Sequence, residues 1–283
     1  MIKPPVSPAE VIKFKGNESS FHHDLLAVEE PLEIRLGFGP INSRGQKIIS
    51  VTMRTPGHDF ELALGFLFTE GIIKSKDAIL QIKYCTDAQT SENHYNIVRV
   101  ELHEKVSVDL EKLQRNFYTT SSCGVCGKAS IDAIHTLCDT HQNNDIVIKN
   151  TLLYRLPELL RKHQNVFEHT GGLHACAIFN EKGILKICRE DVGRHNALDK
   201  LIGAAMGSNQ IPLSNYILLL SGRASFELIQ KAAMAGIPIV AAAGAPSSLA
   251  LQLAKELNIT LIGFLKADRF NIYTGKQRIE LEM

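Results

Sequence analysis

Between residues 175 and 265, short apolar runs alternate with helical segments, and this alternation constrains the fold more than any other feature. Residues 175–179 and 184–188 flank a turn at 181–183, which is typical of a β-hairpin. Three further apolar runs are continuous, as in strands buried on both faces, and helical segments separate them. They are 216–220, 237–243 and 259–265, separated by helices at 196–202, 225–235 and 247–257. The sequence therefore predicts an α/β domain with a mainly parallel, three-layer sheet.

The same order of strands and helices is used by cytidine-deaminase-like folds. Those enzymes bind zinc through a His-x-Glu after the hairpin and a Pro-Cys-x-x-Cys before the next helix. This chain has neither motif at those places, and it contains no His-x-Glu at all. If the fold is shared, the zinc chemistry is absent and the pocket is expected to bind a ligand instead.

The first 115 residues predict a smaller α+β domain. Pro4, Pro5 and Pro8 exclude helix from an extended lead-in that ends near residue 20. Asp59 is a good N-cap for a buried helix that ends before Gly71. Three alternating runs predict strands, with their apolar positions at Leu32, Ile34, Leu36, Ile49, Val51, Met53, Val98, Val100 and Leu102. The predicted organisation is an α+β domain at 1–115, a loop, helix and connector at 116–150, and the deaminase-like α/β domain at 151–283. In this last domain Pro157 begins a helix that ends at 170–172.

Composition excludes several classes of protein. The chain has 283 residues, 45% of them apolar, and a formal net charge of +1, which argues against a general nucleic-acid binder. No run approaches the ~20 apolar residues needed to span a bilayer, and the N-terminus has no apolar signal segment. Six cysteines in a chain of this length do not indicate a disulfide scaffold. We expect a cytoplasmic protein with a sizeable core that binds neither membranes nor nucleic acid.

Cys123 and Cys126 form a Cys-x-x-Cys pair with Gly124 and Gly127 beside them and Lys128 following. Residues 129–138 have apolar positions at helical spacing, so the thiols precede a predicted helix N-terminus. Backbone N–H groups there, together with the lysine charge, favour a thiolate or a persulfide anion. A neighbouring thiol can also attack a sulfur bound to the first. The pair therefore predicts a mobile loop that handles sulfur.

Two other interpretations of the pair stay open. A structural zinc site needs a second pair of ligands, and the remaining cysteines are scattered singly. A thioredoxin-type dithiol should follow the first strand of a βαβ unit, whereas this pair precedes the α/β pattern. We expect no structural metal.

Polar and basic residues follow each predicted strand, where ligands bind in open α/β sheets. Glycine lets the backbone approach a ligand, and serine hydroxyls and arginines suit phosphate groups. The residues that could surround a polyanionic ligand are Arg189, Arg194, Ser221, Gly222, Arg223, Ser247, Lys266 and Arg269. His195 could act as an acid–base or as a hydrogen-bond donor to that ligand, or it could simply bond to Asp191.

Several motifs occurring together resemble one family. They are SSCGVCGKASI, TGGLHACAIF, REDVGRHNALDKLIG, SGRASFE, AGIPIVAA, GAPSSLA and IGFLKADRFNIYTG. From about residue 24 to its end, the chain resembles the FdhD/NarQ family, the accessory sulfurtransferases required for active formate dehydrogenases.

The resemblance implies a function and a set of site residues. A cysteine desulfurase would load a persulfide onto Cys123, with Cys126 as the second thiol. The sulfur would pass to the bis(molybdopterin guanine dinucleotide) cofactor of molybdenum or tungsten before that cofactor enters formate dehydrogenase. A guanine nucleotide would serve as an analogue of the cofactor. The family's cofactor-binding stretch matches Phe264, Leu265, Lys266, Ala267, Asp268 and Arg269; Leu265 and Asp268 depart from the cysteine and glycine that many members carry there. The resemblance also implies a homodimer with a deaminase-like C-terminal fold. A cofactor chaperone that transfers no sulfur is the alternative function.

Overall fold

The computed structural model describes residues 3–85, 95–106, 108 and 146–282. The predicted dithiol loop, with Cys123, Cys126 and the helix at 129–138, lies outside these residues. In the N-terminal part the elements are β1 (Val6–Lys15), β2 (Glu18–Ala27), β3 (Glu30–Phe38), β4 (Gly45–Arg54), α1 (Asp59–Thr69), β5 (Ile79–Tyr84) and β6 (Ile97–Leu102).

The C-terminal part contains the rest of the described elements. They are β7 (Ile148–Lys149), α2 (Asn150–Leu153), α3 (Leu156–Arg161), α4 (Asn165–Thr170), β8 (His174–Asn180), β9 (Leu185–Asp191), α5 (Arg194–Gly207), β10 (Tyr216–Leu220), α6 (Phe226–Met234), β11 (Ile239–Ala242), α7 (Ser248–Glu256), β12 (Thr260–Gly263), β13 (Asn271–Thr274) and β14 (Ile279–Glu280).

A six-stranded sheet in the order β13-β12-β11-β10-β8-β9 forms the centre of the C-terminal part. The pairs β10–β11 and β11–β12 are parallel. The pairs β8–β9, β8–β10 and β12–β13 are antiparallel, so the prediction of a mainly parallel sheet is wrong. The short turn between β8 and β9 can join only antiparallel strands, and β13 returns after β12 without a crossover helix. The molecule is thus a mixed α/β protein with several sheets.

The three layers of the prediction are present. Leu218 and Leu220 of β10 face one hydrophobic cluster, which includes Leu201 of α5 and Leu253 of α7. The alternate residues of the same strand, such as Leu219, face a second cluster that includes residues of α2 and α3. Helices therefore cover both faces of the sheet.

The N-terminal part consists of a four-stranded sheet in the order β4-β3-β6-β5 and a separate β1–β2 hairpin. The lead-in was predicted only to be extended; it forms β1 and pairs with β2 from Val6 opposite Ala27 to Lys15 opposite Glu18.

The alternation predicted for β4 is wrong beyond Ile49, because Val51 and Met53 are 61% and 46% exposed. A β-bulge causes this difference: Ile34 pairs with Ser50, whereas Arg35 pairs with Ile48. One extra residue on β4 reverses which side chains face inward.

Helix α1 begins differently from the prediction. His58, not Asp59, occupies the N-cap position, with a left-handed φ of 59°. Asp59 is the first helical residue and is buried, and its two carboxylate oxygens accept hydrogen bonds from Nε and Nη2 of Arg54 at 2.9 and 3.0 Å. The side chain expected to cap the helix therefore forms a buried ion pair with β4.

The helix predicted from 157 to 170 is two helices, α3 and α4. Between them, His163 and Gln164 donate backbone hydrogen bonds to the carbonyls three residues earlier, at 2.9 and 3.3 Å. These tighter turns end α3 and redirect the chain.

Helices α1 and α5 cross with their backbones in contact. A Cβ atom added to Gly65 would lie 1.9 Å from the carbonyl oxygen of Asp199, and one added to Gly203 would lie 1.9 Å from that of Glu61. The hydrophobic cluster around this crossing includes Ile34 of β3 and Leu218 of β10, so one core joins the two sheets. The predicted domain boundaries at 115 and 150 stay a prediction. Among the described residues, no helix is both long enough and apolar enough to cross a bilayer.

The helix crossing leads to a stability prediction. Gly203→Ala should lower the free energy of unfolding by about 3 kcal/mol, because the new methyl group meets backbone atoms that cannot rotate away. Gly207→Ala, on the same helix, is the matched control, since a Cβ at Gly207 meets nothing within 4 Å. Urea unfolding of both variants measures the difference. A Gly203→Ala variant as stable as the control would contradict the close crossing.

Candidate functional site: the strand-end cluster

Backbone hydrogen bonds connect the loops that follow β10, β11 and β12. The N–H of Gly244 donates to the carbonyl of Gly222, and the N–H of Phe264 donates to the carbonyl of Gly244, both at 3.0 Å. Neighbouring strands lie roughly 4.8 Å apart, so residue 264 is about 10 Å from residue 222. Segments 221–223 and 264–269, which were predicted separately, thus lie at one edge of the sheet.

The glycines of these loops pack against other loops. A Cβ at Gly244 would lie 3.1 Å from both the carbonyl oxygen of Gly222 and the backbone nitrogen of Arg223. A Cβ at Gly222 would lie 3.2 Å from Nδ1 of His174. A side chain at either glycine would therefore crowd the neighbouring loop, whether or not a ligand also uses the space.

Ser221 joins the start of β8 to the same edge. Its Oγ accepts a hydrogen bond from the backbone N–H of Ala175 at 2.8 Å, and its own N–H donates to the carbonyl of Ala175 at 2.9 Å. The hydroxyl group keeps one proton to donate. Because β8 is antiparallel to β9 and β10, His174 and Asp191 also lie at this edge, opposite each other.

The charges at this edge are mainly basic. Burial lowers the pKa of His174, and the nearby charges of Arg194, His195 and Arg223 lower it further. The Nε atom of Arg194 is buried and has no hydrogen-bond partner among the described residues. An anionic ligand at this edge would therefore meet a positive potential.

His195 is not bonded to Asp191, so that interpretation of the sequence is wrong. Asp191 is buried and forms an ion pair with Lys200 at 2.7 Å, and it accepts hydrogen bonds from the backbone N–H groups of Thr55 and Gly193. The Nε2 atom of His195 instead lies 3.3 Å from Oγ of Ser225.

Arg189 does not take part in the site as predicted. Its Nε and Nη2 atoms donate to the two carboxylate oxygens of Glu61 at 2.6 and 2.8 Å. Burial raises the pKa of Glu61, but the hydrogen bonds from Arg189 and His58 outweigh it and bring this pKa to about 2. This carboxylate is ionised at neutral pH, and it holds Arg189 against α1.

The predicted cofactor-binding stretch turns sharply after β12. Phe264 has a left-handed φ of 53° and is 42% exposed, whereas Leu265 is buried in the core. Lys266, Ala267, Asp268 and Arg269 are exposed, and the Lys266 N–H closes their turn on the carbonyl of Arg269 at 2.8 Å. In the described part of the chain, no carboxylate forms an ion pair with Arg194, Arg223, Lys266 or Arg269. We use the name strand-end cluster for the four residues without an ion pair, together with three neighbours: Arg194, Arg223, Lys266, Arg269, Ser221, Gly222 and His195.

Sequence reasoning missed Glu227. Glu227 lies in the first turn of α6, where its Oε2 atom is 3.6 Å from Nε2 of His195. The interaction with His195 is the largest cause that lowers the pKa of Glu227 to about 2. The only signal in the sequence was an acidic residue two positions after the N-cap Ser225.

Cys176 and Cys188 differ chemically from the thiols predicted for the loop. Burial raises the pKa of Cys176 well above its usual value and that of Cys188 to about 12. Neither is a thiolate near neutral pH, so neither suits nucleophilic sulfur chemistry. Over the described residues, no group of three or more His, Cys, Asp or Glu side chains could bind a metal ion.

Comparison with known proteins identifies the family. A model of the FdhD/NarQ family matches residues 27–280. The chain belongs to the FdhD/NarQ family. A relative from Streptomyces avermitilis named sulfur carrier protein FdhD is 50% identical over 275 residues, which cover 96% of this chain and 95% of the relative. A relative of the same name from Sulfurisphaera tokodaii is 41% identical, with 97% and 99% covered.

A solved structure supports the same fold. It is the crystal structure of a protein from Desulfotalea psychrophila that is assigned as a formate dehydrogenase accessory protein. The TM-score is 0.72 at 23% identity, with 98% of this chain and 100% of the other covered. At this identity the likeness concerns the fold alone.

The thiol environments lead to a reactivity prediction. At pH 7.5, iodoacetamide should leave Cys176 and Cys188 unmodified in the folded protein, because their thiolate populations are very small. Mass mapping of peptides measures the modification, and the protein unfolded in urea, in which all six cysteines should react, is the control. Alkylation of Cys188 at the unfolded rate would contradict the assignment.

Proposed function

We propose that this chain is a sulfur carrier for formate dehydrogenase that acts on the molybdenum cofactor. Cys123 receives sulfur from a cysteine desulfurase as a persulfide, and the sulfur passes to the bis(molybdopterin guanine dinucleotide) cofactor. The observation that carries the proposal is the 50% identity, over nearly the whole chain, to a protein named as a sulfur carrier. The Cys-x-x-Cys pair at Cys123 and Cys126 supports it chemically.

The loading step is a thiol–persulfide exchange. The Cys123 thiolate attacks the outer sulfur of the desulfurase persulfide, a new S–S bond forms, and the desulfurase cysteine leaves as a thiolate. In the delivery step, the Cys126 thiolate attacks the inner sulfur, which is that of Cys123. The outer sulfur leaves as sulfide to the metal, and the resulting disulfide needs two electrons from a cellular dithiol before the next cycle.

The strand-end cluster is the proposed site for the cofactor. Arg194, Arg223 and Arg269 would neutralise its pyrophosphate groups, and the Ser221 hydroxyl can donate a hydrogen bond. The lack of ion pairs to these arginines in the described chain supports this role. The relation to cytidine-deaminase-like folds, in which 191–195 and 221–225 would take the places of the zinc ligands, stays a proposal that rests on the order of strands and helices in the sequence. The homodimer and the cytoplasmic location stay proposals that rest on the resemblance.

Two thiol variants test the sulfur-carrier role. Cys123→Ala should abolish persulfide formation, sulfur delivery and the activity of the client dehydrogenase. Cys126→Ala should impair delivery but still form a persulfide, since one thiol carries the sulfur and the other releases it. Intact mass after incubation with a desulfurase and cysteine measures a gain of one sulfur, and dehydrogenase activity is followed in parallel. Cys188→Ala is the matched control and should behave like the wild type.

Each alternative gives a different result. Normal activation of the dehydrogenase by Cys123→Ala would refute the persulfide carrier and favour a cofactor chaperone. Loss of bound zinc and of folding in both loop variants would identify a structural zinc site instead.

A second prediction concerns the ligand. Guanosine diphosphate should bind and raise the melting temperature, whereas adenosine diphosphate should not. Arg223→Ala should weaken binding by about 1.5–3 kcal/mol without unfolding the protein, because a charge-assisted contact is lost. Arg155→Ala removes an exposed arginine outside the strand-end cluster and should bind normally. Calorimetry that finds equal binding of both nucleotides, or of neither, would contradict a guanine-specific site.

A further inference from the structure

His174 is a half-buried histidine at the edge of the sheet that carries the strand-end cluster. It begins β8 and pairs directly with Asp191 of β9, so the two side chains lie on the same face of the sheet. Cys176, two residues later on β8, shares this face, and its Sγ atom lies 3.9 Å from the carbonyl oxygen of Arg194 in the first turn of α5. His174 is therefore on the face that the beginning of α5 covers.

The imidazole ring of His174 packs against Gly222, a residue of the strand-end cluster. A Cβ built on Gly222 would lie 3.2 Å from Nδ1 and 3.4 Å from Cε1 of the ring. Within the described ranges of the chain, neither ring nitrogen of His174 has a hydrogen-bond partner. Both nitrogens therefore remain for solvent or for a ligand.

Basic groups surround this ring and oppose its protonation in the free protein. Arg194 and His195 approach it from α5, and Arg223 approaches it from the loop after β10. Burial is the largest cause that lowers the pKa of His174, and the charges of these three residues lower it further. The ring is therefore neutral near neutral pH when no anion is bound.

The acidic groups of β9 do not cancel this effect. Asp191 raises the pKa of His174, but it is the last-named of the causes, and its carboxylate is bound to Lys200 at 2.7 Å. Glu61 of α1 is bound to Arg189, which is on the same strand as Asp191. The ring of His174 thus lies in a positive environment that an anionic ligand would neutralise.

We propose that His174 binds the anionic ligand of the strand-end cluster as an imidazolium and takes up its proton from solvent when the ligand binds. The negative charge of the ligand offsets the repulsion from the arginines and so favours the charged ring. In an imidazolium both nitrogens carry hydrogen, so either can donate to a phosphate oxygen. The inference rests on the proposed function for its ligand, a pyrophosphate-containing guanine nucleotide.

The coupling determines the direction of the pH dependence. The ring is neutral in the free protein and protonated in the complex, so one proton is taken up for each ligand bound. Affinity is therefore highest below the pKa of the free ring, falls as the pH rises towards the pKa of the ring in the complex, and is constant above it. One proton for each ligand limits the fall to about tenfold per pH unit.

The first test follows the ring directly by NMR. Histidine side chains labelled with carbon-13 at Cε1 are titrated in the free protein and with saturating GDP-mannose, and His174→Gln assigns the signal. GDP-mannose is a suitable probe because its pyrophosphate is a diester, like that of the cofactor, and does not titrate near neutral pH. The pKa of His174 should lie below 6.5 in the free protein and above about 7 in the complex. An equal pKa in the two states would overturn the proposal.

The second test measures the affinity for GDP-mannose by calorimetry at pH 6 and at pH 8. The wild type should bind about tenfold more weakly at pH 8, because the proton is then less available. In His174→Gln the affinity should change by less than about threefold between the two pH values, since an amide can donate to phosphate but does not titrate. His23→Gln, which removes an exposed histidine of the β1–β2 hairpin, is the matched control and should keep the wild-type pH dependence.

The outcomes separate this inference from the proposed function. If the wild type binds equally well at both pH values, the inference is wrong and the cofactor site stands. If the pH dependence is kept in His174→Gln and lost in His195→Gln, the proton belongs to His195, and the inference is again wrong. If the wild type binds no GDP-mannose at either pH, the ligand assignment itself fails, and the inference fails with it.

Discussion

The crossing of α1 and α5 is the contact on which the rest of the structure depends. Gly65 and Gly203 let the two helix backbones touch, since a methyl group on either would overlap a carbonyl oxygen of the other helix. The N-terminus of α5 carries Arg194 and His195, so the crossing sets where these side chains lie. The next residue, Asn196, reinforces the arrangement by donating to the carbonyl of Met53 on β4 at 2.8 Å. The N-terminal sheet thus helps to position the strand-end cluster.

Buried ion pairs fix the same helices in place. Lys200 of α5 binds Asp191 at 2.7 Å and the carbonyl of Thr55 at 2.8 Å, so it connects the sheet edge to the segment before α1. Lys231 of α6 lies 3.0 Å from Asp199 of α5. Replacing such pairs by apolar residues is often neutral, but removing one partner is strongly destabilising. We therefore infer that these ion pairs fix the relative positions of the helices and the sheet more than they add to the free energy of unfolding.

Much of the architecture was predictable, and the failures have physical causes. The continuous apolar run of Tyr216–Leu220 matches β10 residue for residue, because a strand buried on both faces has an uninterrupted apolar sequence. The bulge opposite Ile34 could not be predicted, because a bulge depends on the pairing of two strands. The same is true of Asp59, whose partner Arg54 lies on β4 and prevents it from acting as a cap. The strand β13 was not predicted at all, and its antiparallel pairing with β12 is one reason why the sheet is mixed.

The candidate site shows a similar limit. Local motifs indicated Arg223 and His195, and the motifs together identified the family. The partners of these residues depend on contacts between distant parts of the chain: Arg189 meets Glu61, 128 positions away, and His195 meets Ser225, 30 positions away. Only the folded structure shows that Arg189 is bound to Glu61 and that His195 lies against the first turn of α6.

The central claim is that one sulfur atom passes through Cys123 to the cofactor. The most direct measurement is a single-turnover chase with sulfur-35. The protein is loaded from labelled cysteine by a desulfurase, separated from the donor, and mixed with unlabelled bis(molybdopterin guanine dinucleotide) molybdenum cofactor and the inactive client dehydrogenase. Our account predicts that the label leaves the Cys123 peptide and enters the cofactor at the same rate and in equal amount. Label that stays on the protein while the dehydrogenase becomes active would contradict it.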